Sequence, residues 1–502
     1  LHRLLPLAAL LPLACGAPAT FHADAPPGLA PLAAAEPTVA DEIHALLEDH
    51  HALDQLSGAV LVADGGEVVY RGAFGEADSD WAIPNQVDTR FRLASITKQF
   101  TAMLTLLLIE EGTLELDAPI TRYLPDYPAE NGDQVTLRHL MNHTSGIPSY
   151  TSRPGFFGNE SLRHWDVDTF VETFCSDPLE FEPGTEFRYN NSGYFLLGAI
   201  VERVTGRTYA EALQERVLDP LGMHDTGHDD PYRVMANRAT GYEDVLGFRQ
   251  VSEFVDMTTP YAAGALYSTV EDLWTWDQAL RAKTLLDGEL EELMFTPGLG
   301  DYGLGWSIQP ERAMEEGEEL ATDRGPVISH GGGMPGVRTT IYRMPELGRC
   351  IIVLGNTSVT ATGAIELGVT RILDDGEPWP ATRRGDYAVA AAVLDEGAEA
   401  ATELLAGLPQ IVQDEYIERD VNAIGYRLME LGQHDAAIRV LEFLTQAYPD
   451  SANTWDSLGE AYWTAGNHDR AIANYEQALE LDPEFPSALA ALVQLGAREA
   501  GE

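Results

Sequence analysis

Residues able to perform acyl transfer occur first at Ser95-Ile96-Thr97-Lys98, where a strongly apolar stretch begins. If this stretch forms a helix, the Lys98 amine returns alongside the Ser95 hydroxyl, one turn away. An amine in a partly desolvated pocket can lose its proton and then activate a serine as a nucleophile. A capped surface helix with a solvated lysine is the alternative. The apolar helix that begins right at the serine favours the catalytic interpretation.

A second motif, Tyr189-Asn190-Asn191, also opens an apolar helical pattern. A phenol beside a lysine ammonium would have a lowered pKa and could relay protons. The Asn191 amide could orient a carbonyl or amide group of a substrate. Taken alone, the motif fits a tyrosine corner followed by a helix-capping asparagine better.

The third motif is His330-Gly331-Gly332-Gly333, which directly follows an apolar segment. Glycines at the edge of a strand let a substrate approach the backbone closely and expose N–H groups to a developing oxyanion. A flexible glycine turn is the alternative interpretation of this element.

Taken together and in this chain order, the three motifs resemble those of the serine β-lactamase and penicillin-binding-peptidase superfamily. The resemblance is closest to its class C β-lactamase-like branch, which includes D-stereospecific peptidases and esterases. The segments Leu140–Pro148 and Tyr302–Trp306 add further matches. The resemblance covers residues 41–374 and implies a β-lactamase/transpeptidase-like α+β domain, with an antiparallel sheet, helices and an all-helical lobe.

The resemblance also implies a role for each motif, without a metal or another cofactor. The nucleophile and its proton carriers would come from the first two motifs, and substrate binding from the last two. The oxyanion hole would consist of two backbone N–H groups. In full, the expected catalytic residues are Ser95, Lys98 and Tyr189, the substrate-binding residues are Asn191, His330 and Gly332, and the oxyanion donors are Ser95 and Gly333.

One position departs from the β-lactamases that the chain resembles. They usually have a permanent cation where this chain has His330. An unperturbed imidazole has a pKa near 6.5 and is charged in only a minority of molecules at neutral pH. We therefore expect weak recognition of a substrate carboxylate, which favours esters, amides or peptides over efficient β-lactam hydrolysis.

Local patterns predict the elements that position these motifs. Apolar runs flank Asp64-Gly65-Gly66 between residues 57 and 74, which indicates a β-hairpin. Helical periodicity covers residues 96–111, and strand patterns cover residues 337–344 and 349–354. With strands at both ends and helices between them, we expect an α+β domain whose terminal strands share one antiparallel sheet.

A repeat follows this domain. Five residues, beginning with Gly432 and ending with Pro449, recur after a displacement of 34 residues. This period is similar to that of the tetratricopeptide repeat, in which pairs of helices stack. We predict an all-α domain at residues 386–502 with repeats at 419–486, which could bind a protein partner.

Residues 1–25 resemble an export leader, because a basic start precedes an apolar run and then small residues. The expected location is periplasmic or secreted. Cys15 offers a lipid-anchoring alternative, although Pro12 fits a lipoprotein box poorly. No later apolar stretch reaches the roughly 18 residues of a membrane helix.

Composition excludes other classes of function. The chain has 31 basic and 80 acidic residues, a formal charge of -49, which argues against nucleic-acid binding. Its three cysteines exclude a cysteine-rich metal site, and the sequence leaves open whether Cys175 and Cys350 form a disulfide. His224 and His228, with the acidic residues around them, fit a solvated turn better than a metal site. No serine stands in a Gly-x-Ser-x-Gly elbow, which argues against an α/β-hydrolase lipase.

These observations predict an exported serine hydrolase that forms a covalent acyl-enzyme on small-molecule or peptide substrates with an amide or ester bond. D-stereospecific peptidase, esterase and β-lactamase-like activities all fit this chemistry. The alternative is a non-catalytic penicillin-binding-like module that senses a ligand or binds a partner through the repeats.

Overall fold

The computed structural model describes residues 37–286, 288–309, 324–408 and 417–498. The predicted leader at 1–25 and its Cys15 lie outside these ranges. From Val39 onward, the chain forms one compact unit. The predicted domain boundaries at 374 and 386 stay predictions.

The described part contains thirteen β-strands. Seven lie in small sheets or hairpins: β3 Glu76–Asp78, β4 Ile83–Pro84, β5 Phe91–Arg92, β6 Gly227–His228, β7 Tyr242–Val245, β8 Phe248–Val251 and β9 Leu266–Ser268. Six form the main sheet: β1 Gly58–Asp64, β2 Glu67–Phe74, β10 Ser307–Gln309, β11 Val327–Met334, β12 Val337–Met344 and β13 Arg349–Gly355.

The main sheet joins the two ends of residues 41–374, which hold the three predicted motifs and are called the catalytic part below. Its strands run in the order β10-β11-β12-β13-β1-β2, and every neighbouring pair is antiparallel. The pairing of β1 with β13 confirms that the terminal strands share one antiparallel sheet. The predicted hairpin is β1–β2, whose turn residues Gly65 and Gly66 have φ values of 59° and 83°.

Helices connect and cover these strands. Those up to residue 407 are α1 Val39–Ala52, α2 Thr97–Glu110, α3 Ala129–Gly132, α4 Leu137–Met141, α5 Val167–Phe174, α6 Asn191–Thr205, α7 Tyr209–Leu213, α8 Asp219–Leu221, α9 Tyr261–Gly264, α10 Val270–Arg281, α11 Gly288–Met294, α12 Thr362–Leu373, α13 Gly385–Asp395 and α14 Ala398–Gly407. Those after the gap are α15 Glu418–Glu430, α16 His434–Ala447, α17 Ala452–Thr464, α18 His468–Leu481 and α19 Pro486–Gln494.

Both faces of the main sheet are buried, and strand periodicity decides which side chain meets which core. From β1, Ala59, Leu61 and Ala63 enter the larger core, which also contains most of α2. Val60 and Val62 point to the other face and enter the core formed with α1 and α12. This double burial explains why β1 is apolar throughout instead of alternating.

Helix α2 is the central helix of the catalytic part. Eleven of its fourteen residues are buried, including Lys98 and Gln99. A helix that is buried on nearly all sides requires neighbours on all sides. Here they include α6, α7, α9 and α11. Because α2 begins just after Ser95, the packing of the core also determines where that serine lies.

Helices α13–α19 build a separate hydrophobic core. Their close crossings explain the repeat of small residues. A side-chain carbon added at Gly425 would lie 2.7 Å from Leu441, and one added at Gly459 would lie 2.9 Å from Tyr475. Gly425 and Gly459 are 34 residues apart, so each repeat uses one glycine to bring its two helices together.

The catalytic part reaches into this helical core through the β7–β8 hairpin. Val245, at the end of β7, is fully buried among residues of the helical core. Glu243, two residues earlier, forms an ion pair with Arg427 of α15. The two parts are therefore joined by apolar packing and by a charged contact.

Both described cysteines, Cys175 and Cys350, are buried free thiols, so they form no disulfide with each other. Every helix in the described ranges is too short or too polar to span a membrane.

A buried ion cluster ties α10 to the sheet and makes a stability prediction. Asp277 is fully buried and accepts hydrogen bonds from Arg343 of β12 at 2.6 Å and from Arg281 at 2.5 Å. Asp277→Ala leaves the 2%-exposed Arg343 side chain without its carboxylate, so urea denaturation should show a loss of about 3–5 kcal/mol in unfolding free energy. Asp168→Ala, which breaks an exposed pair with Arg203, is the control and should cost under about 1 kcal/mol. Equal losses of unfolding free energy for the two variants would show that the buried Asp277 cluster stabilises the fold no more than an exposed ion pair.

Candidate active site

The backbone before the proposed nucleophile adopts an unusual conformation. Ala94 has a φ of 49°, in the left-handed region that side chains other than glycine rarely occupy. Strand β9 holds this turn on both sides. Leu93 N–H donates to the Leu266 carbonyl at 2.8 Å, and Leu266 N–H donates to the Thr97 hydroxyl at 3.1 Å. The turn lifts Ser95 out of the core at the point where α2 begins.

Lys98 is completely buried, and its amine contacts three oxygen atoms. Lys98 Nζ lies 3.1 Å from Ser95 Oγ, 2.8 Å from Asn191 Oδ1 and 2.8 Å from the Ala263 carbonyl. Burial lowers the pKa of this amine well below its usual value. A neutral amine can donate to Asn191 and Ala263 and still accept the Ser95 proton through its lone pair.

Tyr189 lies against the same amine, with Lys98 Nζ 4.9 Å from its ring centroid. The expected lowering of its pKa is wrong. Tyr189 is 39% exposed as a whole, but desolvation of its hydroxyl raises the phenol pKa above its usual value, and the hydrogen bond with Ser95 acts in the opposite direction without cancelling the effect. The expectation assumed a lysine ammonium beside the phenol, whereas desolvation favours the neutral amine. Tyr189 therefore faces Ser95 as a neutral hydroxyl.

Asn191 is held at both ends of its amide. Its Oδ1 accepts from Lys98, and its Nδ2 donates to the Thr151 hydroxyl at 2.9 Å. The helix-capping role belongs to its neighbour Asn190, whose side chain accepts from Gly193 N–H at 2.7 Å. Substrate contact by Asn191 stays a prediction, and the structure gives this amide a second task in orienting Lys98.

His330 is 5% exposed, and both ring nitrogens have partners within the protein. Nδ1 lies 2.7 Å from the Gly331 carbonyl and therefore carries the proton, so Nε2 accepts from the Tyr302 hydroxyl at 2.8 Å. Burial lowers the pKa of His330 to about 3. The imidazole is thus neutral across the physiological range. A direct hydrogen bond from this ring to a substrate would first require breaking its hydrogen bond with Tyr302 or with the Gly331 carbonyl.

The glycines after His330 have different tasks. A side-chain carbon at Gly332 would overlap the Leu93 carbonyl and lie 3.2 Å from Ala94 Cβ, so Gly332 lets β11 pack against the turn before Ser95. Gly333 is exposed and lines the cleft in front of Ser95. This placement suits Gly333 for the expected oxyanion role, and it gives Gly332 a packing role that sequence reasoning missed.

Ser95, Asn191 and Gly333 open onto one cleft of about 260 Å³. The three motifs, distant in the sequence, therefore converge around one hydroxyl group. Most of the other lining residues are apolar or aromatic. They are Ala94, Tyr150, Thr151, Phe156, Phe157, Val255, Thr259, Pro260, Ala263, Gly264, Met334 and Pro335.

A further residue, His143, contacts the Tyr189 ring and the residues on both sides of Tyr189. Its carbonyl accepts from Arg188 N–H at 2.9 Å, and its Nδ1 accepts from Asn190 N–H at 3.1 Å. The imidazole packs on the Tyr189 ring with a centroid distance of 4.3 Å. His143 has a φ of 61° and is fully buried, so the fold holds a strained residue at this point. Both backbone neighbours of Tyr189 and its ring are thereby positioned by one histidine.

Sequence reasoning missed Ala263, His143 and Tyr302 as parts of the site. His143 and Tyr302 lie in two of the matching segments, which were noted without a role for either residue. Ala263 contributes only its backbone carbonyl, and a carbonyl leaves no trace in residue type. Among the described residues, no group of three or more His, Cys, Asp and Glu side chains could hold a metal ion.

Comparison with known proteins agrees with this geometry. The β-lactamase family matches residues 43–373, which is more than half of the chain. The chain belongs to the β-lactamase family of serine hydrolases. The tetratricopeptide repeat family matches residues 422–486 and 457–499. The two matches confirm the β-lactamase-like family, the tetratricopeptide repeats and the fold class that the sequence predicts.

Individual members of the β-lactamase family show how wide the similarity is. Penicillin-binding protein 4* of Bacillus subtilis is 32% identical over 324 residues, covering 60% of this chain and 68% of that protein. Esterase EstB of Burkholderia gladioli is 32% identical over 344 residues, covering 61% and 87%. The crystal structure of a D-amino acid amidase from Ochrobactrum anthropi matches with 27% identity and a TM-score of 0.57, covering 67% and 98%.

The contacts of His143 around Tyr189 lead to a prediction. His143→Asn keeps a residue that tolerates positive φ and keeps the backbone carbonyl, but removes the ring and the Nδ1 acceptor. We expect kcat for a chromogenic ester to fall about 10–100-fold with little change in KM, because a small displacement of Tyr189 misaligns proton transfer. His50→Asn, at another buried histidine that lies on α1, should leave both constants unchanged. Wild-type kinetics in folded His143→Asn protein would show that His143 does not position Tyr189 for catalysis.

Proposed function

We propose that this chain is an exported serine hydrolase that forms an acyl-enzyme at Ser95. The observation that carries the proposal is the Ser95 hydroxyl, 3.1 Å from a fully buried lysine amine at the base of an open cleft. The leader-like residues 1–25 support export.

Acylation in this site begins with the neutral Lys98 amine taking the Ser95 proton. Ser95 Oγ then attacks the substrate carbonyl carbon, and the N–H groups of Ser95 and Gly333 stabilise the oxyanion. When the tetrahedral intermediate collapses, the bond to the leaving group breaks. The leaving alcohol or amine receives a proton from the Lys98 ammonium through the Tyr189 hydroxyl, which gives up one proton as it accepts another.

Deacylation repeats these steps with water. Lys98 and Tyr189 take a proton from the attacking water, hydroxide adds to the acyl carbon, and the Ser95 ester bond breaks. Ser95 Oγ recovers its proton from Lys98, and the carboxylic acid product leaves. A neutral phenol suits this relay, because Tyr189 need not carry a charge at any resting stage.

The cleft favours neutral substrates. Among the described residues, no Lys, Arg, His, Asp or Glu side chain lines it, and most lining residues are apolar. The neutral His330 ring cannot supply the cation that a substrate carboxylate would require. The relatives include a protein named as an esterase and one named as a D-amino acid amidase, and both classes of bond suit this cleft. We therefore propose esters and amides with an uncharged, apolar acyl group as substrates.

The helical repeats support a second element of the proposal. Stacked helix pairs present extended surfaces for a protein partner, and residues 422–499 match this repeat family. We propose that they bind a partner while the cleft performs hydrolysis.

Covalent labelling tests the proposed nucleophile and substrate class. A fluorophosphonate probe should label the full chain once, and Ser95→Ala should abolish the label. Turnover of a neutral phenylacetyl ester should exceed that of a cephalosporin at least about 100-fold in kcat/KM, because His330 is neutral and hydrogen-bonded within the protein and so offers the cephalosporin carboxylate no charge.

Absence of label and turnover in folded wild-type protein would favour the non-catalytic sensing module. Efficient cephalosporin hydrolysis would support the serine hydrolase assignment but would contradict the preference for neutral esters and amides.

The two lysines of the chain allow a matched test of pH dependence. Below the pKa of Lys98 the amine is protonated and cannot accept the Ser95 proton, so kcat/KM should fall as the pH decreases through that pKa. Because burial lowers this pKa, activity should persist below the usual lysine range. Lys98→Arg, which cannot deprotonate, should lose about 10²–10⁴-fold at every pH. Lys283→Arg should reproduce the wild-type pH profile, and a Lys98→Arg enzyme with near-normal kcat/KM would exclude Lys98 as the base.

A further inference from the structure

A second cavity, of about 400 Å³, lies between the catalytic part and the helices that follow it. Its walls come from both parts of the chain. The catalytic part contributes Arg338 of β12 and residues after α1, after β13 and from the β7–β8 hairpin. The helical part contributes residues just before and at the start of α13, and residues along α15. Its size and its position between two packed parts of the chain are typical of small-molecule sites.

Four arginines line this cavity in a chain with a formal charge of -49. Two of them have internal partners, since Arg384 pairs with Asp386 and Arg427 pairs with Glu243. Within the described ranges, Arg338 and Arg383 form no ion pair and donate no side-chain hydrogen bond. Most other arginines of the described chain pair with a carboxylate, so two unpaired guanidinium groups in one cavity are unusual.

The carboxylates that line the cavity do not neutralise these two groups. Asp244 pairs with Arg249 at 3.0 Å, and Asp420 pairs with Arg419 at 2.8 Å. Asp386 is engaged by Arg384, as described above. Asp54 is the one lining carboxylate for which the described structure shows no ion pair. The cavity thus holds two uncompensated cations against one uncompensated anion.

We propose that this cavity is a binding site for a small anionic ligand whose carboxylate or phosphate group is held by Arg338 and Arg383. The planar guanidinium group offers paired N–H donors that match both of these anions. The remaining Asp54 carboxylate favours ligands that carry a positive or hydrogen-bonding group at their other end.

The walls of this cavity also connect to the catalytic cleft. A side-chain carbon added at Gly333 would overlap the Arg338 guanidinium, so this group lies directly against the backbone of the expected oxyanion donor. Glu243, which pairs with Arg427, also accepts from Gly336 N–H at 2.9 Å. Gly336 ends the turn that links β11 to β12. Met334, at the end of β11, and Pro335, in the turn, line the cleft. An anion that draws Arg338 toward the cavity would therefore change the position of the Gly333 backbone and of this turn.

Thermal unfolding of the full chain tests the binding claim without depending on hydrolase activity. Inorganic phosphate and succinate, titrated against sodium chloride at matched ionic strength, represent the two ligand chemistries. We expect at least one to raise the melting temperature saturably, by about 2 °C or more. Arg383→Gln should raise the half-maximal concentration at least about 10-fold, whereas Arg233→Gln, an exposed arginine outside the cavity, should respond as wild type.

The same titrations measure the connection to the cleft. In wild type, the anion should change kcat/KM for the neutral ester with the same half-maximal concentration, and Arg383→Gln should remove this change. A response in both readouts supports the site and its coupling. No saturable effect of either anion beyond sodium chloride, or an unchanged response in Arg383→Gln, would overturn the site. Saturable stabilisation with constant kcat/KM would overturn the coupling.

Discussion

The site depends on the burial of one amine. Lys98 lies inside the core with three oxygen atoms around its nitrogen, at a depth where a charged group is costly. Desolvation favours the neutral form, and the neutral form can accept a proton from Ser95. The apolar residues of α2 therefore serve the chemistry directly, because they exclude the water that would keep the lysine charged. Desolvation also raises the pKa of the Tyr189 phenol, which favours the neutral form of this second group next to Ser95.

The rest of the fold supplies the partners that this amine requires. Closure of β1 on β13 builds a sheet that packs against a core on each face, and one of these cores contains most of α2. Helix α6 brings Asn191 to the amine, and the short helix α9 brings the Ala263 carbonyl. Strand β11 approaches so closely that only glycine fits at position 332. Each contact comes from a different part of the chain, so the site exists only in the complete fold.

The sequence predicts much of this arrangement. Side chains whose chemistry is distinctive, such as Ser95, Lys98 and Tyr189, can be recognised from type and order, and apolar periodicity predicts the β1–β2 hairpin and α2. The 34-residue repeat predicts helix pairs because each crossing needs a small residue. Contributions that depend on three-dimensional surroundings escape such reasoning. The Ala263 carbonyl has no side-chain signature, the pKa of Tyr189 changes direction with burial, and nothing in β7 indicates that Val245 belongs to the helical core.

The most direct test of this account is the protonation state of Lys98 itself. In a Lys283→Arg variant, Lys98 is the one lysine of the chain, so ¹⁵N-lysine labelling gives a single side-chain signal for NMR. The account predicts that this signal titrates well below the usual lysine pKa of about 10.4, and that the amine is neutral where the enzyme is active. A Lys98 signal that titrates near 10.4 in the folded protein would show that the amine is solvated and would contradict its role as the base.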